Sequence, residues 1–107
     1  MTVFTDAMSE AELQAAVIEH AETHGWLVFH DNDSRRNNAG FPDLVLVKPP
    51  RIWLIELKSE EGRTRPEQQV WLDALAGCDT VASALIRPSQ LDALARRLAK
   101  PEDTTNA

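Results

Sequence analysis

Three charged residues interrupt an otherwise apolar pair of segments. Asp43 stands at the mouth of "DLVLV", and Glu56 and Lys58 are set into the end of "RIWLIELK". Two carboxylates a few ångströms apart repel, and one is forced neutral unless a cation sits between them. Hard divalent cations such as Mg²⁺ take oxygen ligands of this kind. A lysine beside the pair could orient or deprotonate a water, or offset charge developing on a phosphorus. The competing reading is a surface salt bridge between Lys58 and Glu56 at a frayed strand end, the usual meaning of a bare E-x-K in a strand.

The elements that carry these residues follow from periodicity. On a strand, Glu56 and Lys58 share a face with Ile52 and Leu54, and Trp53, Ile55 and Leu57 take the other. The connection "VKPPR" is too short for a crossover, so the two strands, about Asp43 to Val47 and Arg51 to Lys58, pair antiparallel. Hairpin turns of two residues want φ > 0, which proline cannot supply. A four-residue loop, Lys48 to Arg51, is therefore expected, and it sets Asp43 directly opposite Glu56.

Helical phase selects two more residues. Glu10 to His24 reads as a helix, with Ser9 as N-cap and Gly25 as stop. Its apolar stripe is Leu13, Val17 and Ala21, with Ile18 beside it. Glu10 shares that stripe, whereas Glu12 lies opposite. A plain helix-dipole role for Glu10 competes, and Glu12 would fill that role equally well. Pro66 suits the first turn of a helix to Ala76 with stripe Trp71, Leu72 and Leu75. Gln68 falls on this stripe and Gln69 does not. An inward glutamine needs hydrogen-bond partners.

The remaining elements are a strand over Trp26 to His30, a strand in "DTVASALI", and a last helix in "RPSQLDALARRLAK" with stripe Leu91, Leu94, Ala95 and Leu98. The order is αβββαβα, an α/β fold with a single mixed sheet flanked by helices. Residues 1–8 read as an N-terminal arm, 9–100 as one domain and 101–107 as a disordered tail.

The composition is that of one soluble globular domain: 107 residues, 43% hydrophobic and 26% charged. No apolar run approaches the ~18 residues of a membrane span, and "MTVFTDAMSE" lacks the pattern of a signal peptide. A cytoplasmic setting, in a bacterial or phage-infected cell, is the expectation. Cys78 is alone, which excludes an internal disulfide, and it reads as a small buried filler. The net charge of −6 argues against nucleic acid until its distribution is considered. Between Arg35 and Arg65 lie seven basic and four acidic residues, so that segment is +3 and the rest −9. Arg35, Arg36, Arg63 and Arg65 are candidate phosphate contacts; solvated loop charges are the bland alternative.

Taken together, "GFPD" at 40–43, "ELK" at 56–58 and "GRTRPEQ" at 62–68 resemble the VRR-NUC family of the PD-(D/E)XK nuclease superfamily, whose members read G-x-P-D, E-x-K, then G-R-x-x-x-x-Q. "SEAELQ", "GWLVFH" and "DSRR" add to the resemblance, which spans roughly Ser9 to Arg87. It implies a restriction-endonuclease-like core and phosphodiester hydrolysis with Mg²⁺ or Mn²⁺. It implies metal held by Asp43, Glu56, the Leu57 backbone carbonyl and the helix-one acid, Glu10, with Glu12 as the alternative for that acid. It further implies that Lys58 assists the water and Gln68 supports the site. Stand-alone members resemble Holliday junction resolvases, which implies a homodimer acting on branched DNA. A restriction-like nuclease, a flap or nicking nuclease, and a non-catalytic DNA-binding subunit that keeps the fold are the alternatives.

Overall fold

A computed structural model of the chain describes residues 7–30 and 40–101. Its elements are α1 (Glu10–Thr23), β1 (Leu27–His30), β2 (Leu44–Lys48), β3 (Arg51–Leu57), α2 (Pro66–Ala76), β4 (Ala82–Ile86), a 3₁₀ turn (Pro88–Gln90) and α3 (Leu91–Ala99). The αβββαβα order expected from the sequence is present. The four strands lie in the order β1-β2-β3-β4. β1 and β3 each pair antiparallel with β2, and β4 is parallel to β3. A parallel neighbour needs a crossover, and α2 provides it.

Alternation along β2 and β3 divides the molecule into two layers. Leu44, Leu46, Ile55 and Leu57 form one face and pack with Leu13, Val17 and Ala21 of α1 and Leu91, Leu94 and Leu98 of α3. Both helical stripes match the periodicity of the sequence. Trp26 closes this core, its indole N–H donating to the carbonyl of Leu98 at 2.9 Å. α2 lies on the opposite face. Its stripe Trp71, Leu72 and Leu75 is only half-buried, and Gln68 is its one buried residue.

Four expectations need correction. The β2–β3 loop has two residues, not four, since Lys48 pairs with Arg51. The Pro49–Pro50 peptide is cis, and neither proline takes a positive φ. The two-residue and four-residue loops are both centred on Pro49–Pro50, so the register is unchanged and Asp43 still falls opposite Glu56. Cys78 is exposed rather than buried, because it follows the end of α2 on the outer side of the sheet. The last helix begins as a 3₁₀ turn, and β4 starts at Ala82, later than "DTVASALI" implies. Leu27 and Phe29 of β1 are exposed at 72% and 60%. They pair with Val47 and Val45, on the sheet face opposite α1.

Candidate active site

The site forms where β2 begins and β3 ends. Glu56 lies between Ile55 and Leu57, so its side chain leaves the main core and turns toward α2. It is 2% exposed. Gln68 meets it: the amide Nε2 donates to Glu56 Oε2 at 2.6 Å. The other end of the same amide, Oε1, accepts from the backbone N–H of Arg65 at 2.8 Å. Gln68 is therefore held from both ends, with its donor aimed at the carboxyl. Among the described residues, Glu56 Oε1 is buried and has no hydrogen-bond partner.

Asp43 reaches across the strand ends, its Oδ2 accepting from the backbone N–H of Leu57 at 2.8 Å. It also lines a cleft of about 250 Å³ with Leu57 and with Glu10, Ala11 and Gln14 of α1. Lys58 is 8% exposed, and its backbone N–H donates to the carbonyl of Ile86 at 3.1 Å.

The electrostatics follow from this crowding. Burial is the largest influence on Glu56 and the Asp43 charge the next; together they push its carboxyl up to about 8, against the pull of Lys58. Burial also raises Asp43, opposed by the Leu57 N–H and by Lys58, while Glu10 adds to the rise. A cation placed between these groups would relieve both carboxyls and give Glu56 Oε1 a partner.

Gly40 brings α2 to the site. Its φ of +92° suits glycine, and a Cβ there would lie 2.6 Å from the backbone carbon of Glu67 and 3.0 Å from the nitrogen of Gln68. The chain before Asp43 can thus press against the first turn of α2. Phe41 completes the contact, its ring edge-on to Trp71 with centroids 5.0 Å apart.

Residues 2–100 match the family model of the VRR-NUC domain. The chain belongs to the VRR-NUC family. That family lies within the PD-(D/E)XK nuclease superfamily, so this is a nuclease domain. A solved structure described as a VRR_NUC domain is similar at 26% identity and a TM-score of 0.68, over 84% of this chain and 97% of that one. No curated protein matches the chain.

The residues singled out in the sequence are distributed unevenly. Asp43, Glu56, Lys58 and Gln68 come together, and the Leu57 backbone runs between them. Glu10 lines the cleft with Asp43, and its charge acts on both carboxyls. Among the described residues, however, no three acids or histidines stand close enough to hold a metal by themselves. Glu12 is committed elsewhere: Ser9 N–H donates to its carboxylate at 3.0 Å, and its own N–H donates to Ser9 Oγ at 3.1 Å. The S-x-x-E pattern at 9–12 signals this capping box and could have released Glu12 from consideration. Arg63 and Arg65 are exposed, and Arg35 and Arg36 lie outside the described residues. Arg87 was given no role by sequence reasoning, yet its guanidinium binds three carbonyls of the segment after Lys58. Partners 25 to 28 positions apart leave no trace in local spacing.

Two outcomes follow from the site. Glu56 ionises near 4.5 in the unfolded chain and near 8 in the fold. Below pH 4.5 both states hold the proton; above it the unfolded chain releases it first, so metal-free stability falls as pH rises and levels off beyond about 8. Glu56→Gln removes this loss. In EDTA at pH 8.5 the variant should melt higher than the wild type, by about 4–8 °C for each kcal/mol relieved, and the gap should close toward pH 4.5. Equal melting at both pH values would show that the carboxyl carries no burial penalty. In the second test, Glu10→Gln should lower cleavage by about tenfold or more, a change of ~1.4 kcal/mol in barrier. Glu12→Gln should instead lower helix stability by ~1 kcal/mol or less with cleavage largely kept; the reverse ranking would make Glu12 the acid of the site.

Proposed function

We propose that this chain is a divalent-metal-dependent, structure-selective DNA endonuclease that hydrolyses phosphodiester bonds in branched DNA as a homodimer. The reading is carried by one observation: two adjacent carboxyls at a strand end, Glu56 buried and Asp43 half-buried, with one buried Glu56 oxygen left without a hydrogen bond among the described residues. Such a pair suits a hard cation, which takes oxygen ligands of this kind. Asp43, Glu56 and the Leu57 carbonyl would hold Mg²⁺ or Mn²⁺, with Glu10 across the cleft adding negative charge. The ion supplies Lewis acidity at a phosphoryl oxygen and lowers the pKa of water. Gln68 keeps the Glu56 carboxyl in one orientation. Lys58 supplies a fixed positive charge beside the carboxyls, where it can hold a water or offset charge developing on the phosphate.

DNA would approach from the side of Arg63 and Arg65, with Arg35 and Arg36 as further phosphate contacts. Contacts of this kind fix register and carry no sequence information. The preference for a branched substrate rests on a symmetry argument. Symmetric cutting of a junction needs two sites, which two-fold symmetry supplies. The exposed Leu27 and Phe29 on edge strand β1 favour association with a second copy.

The test is a panel of duplex, flap, splayed-arm and four-way junction DNA with Mg²⁺, Mn²⁺ or excess EDTA, alongside sedimentation. The expected result is paired, opposed nicks in the four-way junction by a dimer. Cleavage should be abolished by EDTA and lost in Asp43→Asn, whose circular dichroism should match the wild type. Cleavage that survives EDTA would remove the metal. Paired cuts by a strict monomer would remove the dimer.

A further inference from the structure

Arg87 follows the last residue of β4, directly beyond the pairing of Ile86 with Leu57. Its Nη1 donates to the carbonyls of Ser59 at 2.8 Å, Glu60 at 3.1 Å and Gly62 at 2.7 Å. These carbonyls belong to the turn that leaves β3 immediately after Lys58, closed by Gly62 N–H donating to the Ser59 carbonyl at 3.1 Å. The turn is tied a second time on its exposed side: the Glu60 carboxylate accepts from Ser89 N–H at 3.0 Å and from Ser89 Oγ at 2.9 Å.

The turn lies against the stem of Lys58. At Gly62 a Cβ would stand 3.5 Å from Lys58 Cδ and 2.9 Å from Ser59 Oγ. The backbone of Lys58 is already fixed by its bond to the Ile86 carbonyl. What remains free is the path of its four-carbon side chain, and the turn forms one wall of that path. The same turn leads into Arg63 and Arg65. A part-buried guanidinium bound to three carbonyls is a stronger tie than the exposed Glu60–Ser89 pair, because charge-assisted bonds gain most where water is excluded.

From this geometry we infer that Arg87 is a positioning residue: it holds the Ser59–Gly62 turn as a wall against Lys58 and so fixes the place of the Lys58 ammonium at the site. Arg87 itself touches neither the carboxyls nor Gln68 through any hydrogen bond among the described residues. The inference rests on the nuclease reading for the role of Lys58, but the hold of Arg87 on the turn is independent of it.

The experiment compares wild type, Arg87→Ala and Arg87→Lys, the last keeping a charged donor. In the metal-free protein, amide hydrogen exchange over residues 59–63 should speed by about tenfold or more in Arg87→Ala, with the amides of α1 unchanged. Calorimetric Mn²⁺ affinity should stay within about twofold of wild type, because Asp43 and Glu56 are untouched. The turnover number on four-way junction DNA should fall by about tenfold or more, with DNA affinity and its salt slope unchanged. Arg87→Lys should recover most of both the protection and the turnover. Unchanged exchange over 59–63 would overturn the inference. So would a fall in DNA affinity with a shallower salt slope and normal exchange, which would make Arg87 a phosphate contact. If the wild type cleaves no DNA, the nuclease reading fails, and the exchange comparison alone decides whether Arg87 holds the turn. Should Arg87→Ala fail to fold, Arg87→Gln, which keeps one amide donor, takes its place in each comparison.

Discussion

Two carboxyl groups held together where water is scarce govern the rest of this molecule. Asp43 and Glu56 face each other across the ends of β2 and β3, and both are pushed toward the neutral form. Burying a charge without a partner is costly enough that the group gives up its ionisation instead. The surrounding residues hold the pair in place. Gln68 spends both ends of its amide on holding Glu56 and the start of α2. The Leu57 N–H is given to Asp43. Gly40 gives up a side chain so that α2 can approach.

The layers follow from the same requirement. The face of Ile55 and Leu57 is sealed by α1 and α3, which leaves Glu56 facing the thinner layer made by α2. That layer is not a second core: its apolar stripe is half-buried and its one buried residue is polar. α2 therefore contributes less to stability than to orientation. α1 enters the site with its N-terminal end, where Glu10 lines the cleft and Glu12 is engaged in the cap. Parallel pairing of β3 with β4 places Arg87 beside the turn after Lys58, so a residue distant in sequence acts on the lysine through backbone alone.

Much of this could be read from the sequence because short-range periodicity carried it. Alternation along "RIWLIELK" placed Glu56 and Lys58 opposite Ile55 and Leu57. Phase in α1 chose Glu10, and phase in α2 chose Gln68. The opposition of Asp43 and Glu56 survived a wrong loop length, since the two-residue and four-residue loops share the centre Pro49–Pro50. The failures share a cause as well. The two-residue Pro49–Pro50 turn forms without any positive φ, which the rule for hairpin turns does not consider. The exposure of Cys78 depends on how far the sheet extends under the end of α2. The clasp of Arg87 joins residues that only the β3–α2–β4 crossover brings together. Nothing in a local pattern reports such contacts.

The proposed metal site requires that a bound cation displace a proton from Glu56. Calorimetric titration of Mn²⁺ into metal-free protein at pH 7, repeated in two buffers of different ionisation enthalpy, measures this directly. With Glu56 near 8, most molecules are protonated at pH 7, so binding should release close to one proton per ion. Release should fade above about pH 9, and Glu56→Gln should neither release the proton nor bind Mn²⁺ with wild-type affinity. Tight binding with no proton released at pH 7, or equal affinity in Glu56→Gln, would contradict the account.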